Sequence, residues 1–490
     1  MPDEPGTNRT GERPMARPWF GISCRTTLAV ALAVTALPAA APALADDGPD
    51  AAVLTYALPL GTPLPSLAQL QADGGLERLH AMARTSRAQK PLTAAETVGP
   101  AAAQGTAAKE SSLTPSPPAS PSGTQPSVPA PGDAIYPDPS RKMTLDECRK
   151  GLGSDKKFFV KSRFAVCTGT SFLQTWLKNG RVKGQSWFNL RVVGTVAKNS
   201  RKTNYTFHFS EMGKNGSIPA DALKISVKPK ITQSWPSGAR YTYGGTMPGT
   251  KTFAEAKRQK SFTHTVHAKP GQGSGRLDTI FAVYQPTVTV TPPAPWTVKP
   301  PSSTKLFLLA PRWEAAGYLA NSTGSGNPAR RGAATFSYAV PLVYSAKNGA
   351  VEQEVAKHIR LAFLSPDDTK PYMSAKKVPG QNPSAPLHRT RDSGRNEDNG
   401  KAAIAQCRRH WGPNYTEGGK KQCDEYPFRS TLEGAAEHQY DPDARKFNFS
   451  AKPVLAEHNR DAGLLLKGFY AKNRMLADTK DDAFLVKITT

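Results

Sequence analysis

The chain has 490 residues and a mass of 52.6 kDa, enough for two or three domains of ordinary size. Its 44 Pro and 40 Gly favour linkers and many turns and argue against a compact helical bundle. The formal net charge is +25, and beyond the N-terminal segment no apolar run approaches the roughly 20 residues that span a membrane, which excludes multi-pass membrane proteins.

The N-terminus has the pattern of an export signal. Arg17 and Arg25 precede an apolar stretch at residues 28–41, and Ala43 and Ala45 form a small-x-small cleavage site. The acidic residues before Met15 do not suit a signal, which favours Met15 as the true start. A single membrane anchor is the alternative, but prolines interrupt the run. We therefore predict a signal peptide over 1–45, no transmembrane segment after its cleavage, and a secreted or surface-associated protein.

Residues 46–140 are predicted to form a disordered Ala/Pro-rich linker. The segment 115–139 contains nine Pro among Ser, Ala and Gly, a composition that cannot bury a core. One modest helical pattern spans residues 64–82. We expect this linker to separate the signal from the folded part of the chain.

Residues 141–375 are predicted to form an all-β middle region. Apolar and polar residues alternate at 205–209, 223–227 and 287–291, and Asn-Gly turn signals recur between such runs. Residues 141–380 contain 37 Lys and Arg against 12 Asp and Glu, so the basic excess of the chain lies here. A polyanion is the expected partner of such a surface: DNA, RNA, an anionic cell-wall polymer or an anionic lipid surface.

Four cysteines remain after signal cleavage, and they allow three pairings. Local pairing is the simplest, joining Cys148 to Cys167 and Cys407 to Cys423. Each bond would close a loop of about 15–20 residues and contribute roughly 3 kcal/mol in the chain-entropy model. A zinc site is the alternative, but it lacks a Cys-x-x-Cys pair.

The C-terminal block, residues 381–490, contains the candidate chemistry. Asp424 and Glu425 form an acidic pair whose side chains leave opposite faces of an extended strand. Asn459 stands at the expected start of a helix, where its side chain could cap the helix or offer an oxygen to a divalent cation. Carboxylate, amide oxygen, metal and a nearby arginine are the groups that phosphodiester hydrolysis requires. The block ends with a predicted strand at 484–488.

Three motifs in residues 405–490 resemble the NucA/NucB-type family of secreted bacterial deoxyribonucleases. They are Cys423-Asp424-Glu425-Tyr426-Pro427-Phe428, Glu433-Gly434 and Asn459-Arg460-Asp461-Ala462-Gly463. The resemblance implies a small α+β domain of the ββα-metal type. A hairpin in such a domain presents the general base, and a helix presents the metal ligand.

The resemblance also implies roles for individual residues. Asp424, Glu425 and Glu433 match the acidic residues of the family, with Glu425 as the base. Asn459 matches the expected ligand of one divalent ion, Mg²⁺ or Mn²⁺. Gln422 and Cys423 stand where some members have Asp-Arg, which would transfer phosphate binding to Arg429 or Arg460.

The prediction is therefore a multi-domain, secreted, metal-dependent endonuclease that hydrolyses DNA. It combines the disordered linker, the all-β middle region and the C-terminal α+β nuclease domain. The alternative is a non-catalytic secreted surface protein that binds DNA or an anionic wall polymer through the basic region. A contact-dependent toxin is a third hypothesis, which the ordinary signal and the lack of repeats disfavour.

Overall fold

A computed structural model describes residues 51–85, 134–153, 158–247, 249–319 and 332–490. Within these ranges the helices are α1 (Leu67–Gln71), α2 (Gly75–Thr85), α3 (Leu145–Leu152), α4 (Phe253–Gln259), α5 (Gln353–Leu364), α6 (Ser393–Trp411) and α7 (Ala456–Lys472). The strands are β1 (Ala51–Leu58), β2 (Phe158–Ser162), β3 (Ala165–Lys178), β4 (Arg181–Val196), β5 (Lys202–Gly216), β6 (Lys224–Lys228), β7 (Ile231–Trp235), β8 (Tyr241–Gly244), β9 (Thr250–Thr252), β10 (Ser261–Ala268), β11 (Ile280–Tyr284), β12 (Thr287–Thr291), β13 (Thr297–Val298), β14 (Ser303–Lys305), β15 (Pro311–Glu314), β16 (Ala333–Phe336), β17 (Val340–Ser345), β18 (Lys421–Tyr426), β19 (Ser450–Leu455) and β20 (Phe484–Thr489).

The middle region is β-rich, as the alternating sequence predicts, but the prediction of an all-β region is wrong, because helices α3, α4 and α5 lie within residues 141–375. Its largest sheet has eight strands in the order β13-β1-β3-β4-β5-β10-β8, with β2 added beside β3. Two four-stranded sheets follow, ordered β16-β15-β11-β7 and β14-β12-β6-β9. The apolar faces of these sheets contribute to one large hydrophobic core, which includes Phe207, Val227 and Val288.

The predicted disorder of residues 46–140 is wrong for residues 51–85. The run Ala51–Leu58 is β1, which pairs with β3 and with β13 and is buried along most of its length. Helices α1 and α2 follow, and Leu70 and Leu79 pack into a small core with Leu58. The sequence pattern does not predict this strand, because both of its faces are buried and its residues therefore do not alternate between apolar and polar. Residues 86–133, with most of the Pro-rich segment, lie outside the described residues.

The C-terminal region mixes helices and strands. Strands β18 and β19 pair antiparallel, and α7 begins at the residue after β19 ends. Strand β20 is formed where the sequence predicts the closing strand. It pairs in parallel with β17, whose residues 340–345 fall within the segment assigned above to the middle region. Helix α5, also from that segment, packs against α7 and β19.

Buried ion pairs join the two regions. The Asp482 carboxylate, in the segment between α7 and β20, lies 2.7 Å from Arg163 Nη2 and 2.6 Å from Arg312 Nη1. Arg474, directly after α7, pairs with Glu314 of β15 at 2.5 Å, and both side chains are fully buried. Charges withdrawn from water require such partners, so these contacts fix the C-terminal region against the β-rich region.

Both predicted disulfides are formed: Cys148 is bonded to Cys167 and Cys407 to Cys423. The first joins α3 to β3, and the second joins α6 to β18. No helix within the described ranges combines the length and apolar character needed to cross a membrane. The predicted signal peptide at 1–45 lies outside the described residues.

Candidate active site

A pocket of about 410 Å³ opens beside β18 and the first turns of α7. Four of the predicted catalytic, phosphate-binding and metal-binding residues line it: Asp424 and Glu425 of β18, Arg429 just after that strand, and Asn459 of α7. Residues of β18 and α7 reach one pocket because β18 pairs with β19 and α7 continues directly from β19.

The two carboxylates of the acidic pair leave opposite faces of β18, as its extended backbone requires. Cys423, on the face of Glu425, is bonded to Cys407 of α6. Asp424 points the other way, toward α5, where its Oδ2 lies 2.6 Å from Nδ1 of His358. Asp424 is therefore almost fully buried, whereas Glu425 is partly exposed.

The pKa of Glu425 is strongly displaced. Loss of hydration and, to a smaller extent, the adjacent Asp424 carboxylate raise it to about 8, against the opposing effect of Arg429. The backbone N–H of Arg429 also favours the charged form of the Glu425 carboxyl group and so opposes the rise in its pKa. A perturbed carboxyl group in a pocket is a common mark of an active site.

Asn459 lies in the first turn of α7, not at its cap. The helix begins at Ala456, after the N-cap residue Leu455, because β19 continues through Leu455. The Asn459 Nδ2 group donates to Oε1 of Gln422 at 3.0 Å. This bond occupies the amide nitrogen and leaves the amide oxygen available to a ligand.

Glu433 and Arg460 do not line the pocket. Glu433 follows β18 in a loop, where its Oε2 accepts the backbone N–H of His388 at 2.9 Å and its Oε1 lies 2.6 Å from Nδ1 of His388. The half-exposed Arg460 side chain donates through Nε to Asp461 Oδ1 at 3.0 Å. Arg429 is thus the predicted phosphate-binding arginine that reaches the pocket; its guanidinium donates to the Asn396 carbonyl at 3.3 Å.

The sequence predictions missed His358 and Ser450. His358 is buried in α5 and contacts Asp424 through Nδ1 and the Ser450 hydroxyl through Nε2, each at 2.6 Å. An apolar pattern in residues 355–362 could have revealed the helix. Nothing in the sequence indicates that this helix contacts a strand that begins more than 50 residues later.

Residues 376–486 match the family model described as Deoxyribonuclease NucA/NucB. This part of the chain is a NucA/NucB deoxyribonuclease domain. It makes the protein a DNA phosphodiester hydrolase and favours that activity over the non-catalytic alternative. No curated protein and no solved structure matches the chain.

One feature of the NucA/NucB domain concerns the groups that its pocket offers to a metal ion. Across the described ranges, no three His, Cys, Asp or Glu side chains are grouped as a ready-made metal site. The side chains that line the pocket offer as oxygen donors two adjacent carboxyl groups, the amides of Gln422 and Asn459, and the hydroxyl groups of Tyr344, Tyr415, Thr416 and Ser430. Magnesium is commonly bound by one or two carboxylates while it keeps several waters, so the adjacent carboxyl groups of Asp424 and Glu425 suit it.

Proposed function

We propose that the protein is a secreted, metal-dependent endonuclease that cleaves DNA in the pocket formed by Asp424, Glu425, Arg429 and Asn459. The observation that carries this proposal is the Glu425 carboxyl group, whose pKa is raised to about 8 within a pocket of the NucA/NucB domain. Once deprotonated, such a carboxylate is a stronger base than an ordinary one, which suits it to the role of general base.

Glu425 takes the role of base because it is the member of the acidic pair that stays partly exposed. It removes a proton from the water that attacks phosphorus. Asp424 is more deeply buried and hydrogen-bonded to His358, so its part is to orient the attacking water through a fixed carboxylate. Arg429 binds a non-bridging oxygen of the scissile phosphate, since guanidinium groups match phosphate geometry. Glu433 and Arg460 lie outside the pocket and take no direct part in the reaction. Their role is to support neighbouring segments of the chain or to contact the flanking DNA.

The divalent ion, Mg²⁺ or Mn²⁺, fits the amide oxygen of Asn459 and the neighbouring carboxyl oxygens. When bound, it supplies positive charge that stabilises the phosphate and the departing oxygen. Two features of the chain support this assignment. The Asn459 nitrogen is held by Gln422, which leaves its oxygen for a ligand, and the Asp424 and Glu425 carboxyl groups beside it line the same pocket.

The order β18, β19, α7 supports assignment of the domain to the ββα-metal type. Two antiparallel strands lead directly into a helix, and the strand residue Glu425 and the helix residue Asn459 line one pocket. Secretion is supported by the two disulfides, which persist in oxidising compartments, together with the signal pattern in the sequence.

The β-rich region contributes affinity for DNA through a basic sheet face. Lys228 of β6 and Lys305 of β14 both lie opposite Thr287 of β12, so their side chains share one face. Lys224 lies on the same face, four residues before Lys228, and all three lysines are exposed. This polar, positively charged face complements the negative charge of the DNA phosphate backbone. The described residues offer no support for a wall polymer as partner.

The test is nicking of supercoiled plasmid by the full chain with Mg²⁺ or Mn²⁺. Relaxed and linear products are expected with either ion, and excess EDTA should abolish them. Glu425→Gln should bind the plasmid but leave it supercoiled. Undiminished cleavage in EDTA would contradict the metal requirement, and full activity of the Gln variant would contradict the assigned base.

A further inference from the structure

Asp424 is held by a buried hydrogen-bonded chain that starts outside the matched segment. His358 of α5 contacts Asp424 through Nδ1 and Ser450 of β19 through Nε2, each at 2.6 Å. Relative exposures of 1% for His358, 6% for Asp424 and 1% for Ser450 place all three side chains away from bulk solvent. Among the residues that the structure describes, the His358 imidazole is therefore the hydrogen-bond partner that compensates for burial of the Asp424 carboxylate.

We propose that His358 is a positioning residue of the nuclease site, which orients the Asp424 carboxylate from a helix that precedes the NucA/NucB match. This inference rests on the proposed function, because it assigns Asp424 a part in DNA cleavage. It adds a residue that neither the motifs nor the matched range 376–486 contains.

The direction of the hydrogen bonds follows from chemistry. An ionised carboxylate accepts only, so Nδ1 of His358 donates to Asp424. In neutral imidazole, Nε2 then accepts the hydroxyl proton of Ser450. The carboxylate, which only accepts, thereby fixes the tautomer, and the Ser450 hydroxyl, which can donate or accept, satisfies the other ring nitrogen.

Helix α5 also holds the start of the helix that carries Asn459. The Glu354 carboxylate accepts the backbone N–H of Leu455 at 2.6 Å, at the junction of β19 and α7. One helix therefore contacts both halves of the pocket: the acidic strand through His358 and the helix start through Glu354. This arrangement places α5 within the catalytic unit, which extends the unit beyond the boundary at 381 predicted from the sequence.

Two amide substitutions separate positioning from simple packing. In His358→Asn the amide nitrogen lies near the former Nδ1 position and can still donate to Asp424. In His358→Gln it lies near the former Nε2 position and reaches Ser450. Both variants keep a polar side chain in the cavity, so their thermal unfolding temperatures should be similar.

The experiment measures single-turnover and steady-state cleavage of a DNA duplex by the full chain with Mg²⁺. We expect His358→Gln to lower kcat by about 10–100-fold, as loss of an orienting partner commonly does, with little change in KM. His358→Asn should retain most of the rate. In an Asp424→Asn background, His358→Gln should cost little more, because its effect passes through Asp424.

Three results would overturn the inference. Equal rates for the two amide variants, with similar unfolding temperatures, would reduce His358 to a packing residue. Multiplicative losses in the Asp424→Asn background would show that His358 does not act through Asp424. If the wild-type chain failed to cleave DNA, the proposed function itself would be wrong. Cleavage by the wild type with no difference between the variants would overturn only the role of His358.

Discussion

Asp482 of the NucA/NucB domain and Arg163 of the β-rich region form a two-point buried ion pair, with Oδ1 2.7 Å from Nη2 and Oδ2 3.2 Å from Nη1. The same carboxylate meets Arg312 of β15 and accepts the backbone N–H of Leu476 at 2.8 Å. Burial alone would raise the pKa of Asp482, but the two guanidinium groups hold it below the usual range. Asp482 is therefore charged in the folded protein.

Asp482→Asn should lower the free energy of unfolding by about 3–5 kcal/mol, because it leaves two guanidinium groups buried without their shared anion. Urea denaturation of the full chain measures this change. Glu397→Gln is the matched control, since Glu397 pairs with Lys401 on the exposed face of α6 and exposed pairs contribute little. Similar losses in both variants would contradict the stabilising role of the buried pair.

Glu425→Gln should reduce the cleavage rate by about 10²–10⁴-fold, the usual cost of losing a general base. The amide keeps the shape of the side chain, so DNA affinity and unfolding temperature should change little. Glu417→Gln, at an exposed pair with Lys421, serves as the control and should cleave normally. A rate close to that of the wild type would move the role of base to Asp424.

The cleavage rate should rise with pH until about 8 and then level off. Glu425 must be deprotonated to accept a proton, and below its raised pKa of about 8 most molecules carry the inactive, protonated form. A bound cation favours the carboxylate, so the inflection should move to lower pH as Mg²⁺ is increased. Initial rates across pH 5–10 at several Mg²⁺ concentrations test this. An inflection that persisted in Glu425→Gln would have to come from another group.

Asn459→Ala should lower activity, and high Mg²⁺ or Mn²⁺ should partly restore it, because the amide oxygen is assigned to the ion. Gln422→Ala is the comparison, since it removes the hydrogen bond to Asn459 but spares that oxygen. It should have a smaller effect and little change in metal dependence. Cleavage rates measured over a series of metal concentrations test whether Asn459 is a metal ligand. Identical metal curves for wild type and Asn459→Ala would exclude Asn459 as a ligand.

Replacement of Lys224, Lys228 and Lys305 by Gln should weaken binding of duplex DNA at low salt. Each lysine that contacts a phosphate contributes about 0.9 to the slope of log K against log salt, so the slope should become shallower. The rate of cleavage at saturating enzyme should not change. The triple Arg variant keeps the charge and should bind like the wild type. Fluorescence anisotropy over a salt series measures both quantities, and unchanged binding of the Gln variant would place the DNA elsewhere.

Features set by short sequence separation could be predicted. Both disulfides join cysteines fewer than 20 residues apart, and the closing strand is mostly apolar, with Lys487 as its one charged residue. The opposite orientations of Asp424 and Glu425 follow from the geometry of any strand. The four pocket residues from β18, its following turn and α7 lie in or beside the motifs that resemble the NucA/NucB family, and this resemblance is what predicts them as site residues.

Features set by tertiary contacts could not be predicted. Asn459 has a strong preference for helix caps, but α7 begins three residues earlier, where a hydrogen bond from Leu455 to Glu354 of α5 fixes the junction. No feature of the sequence around His358 indicates that it contacts Asp424. The run at 51–58 resembles a linker in composition, and only its two neighbouring strands make it part of a sheet.

The parallel pairing of β17 with β20 bears on how the nuclease could be divided for protein engineering. A fragment cut at the matched limits, 376–486, would remove β17 and shorten β20. Phe484, Leu485 and Val486, which are buried in the intact chain, would then lie on an unpaired edge. Edges of this kind recruit strands from other molecules, so such a fragment would tend to aggregate. A fragment that starts before Val340 keeps the partner strand and, with it, α5.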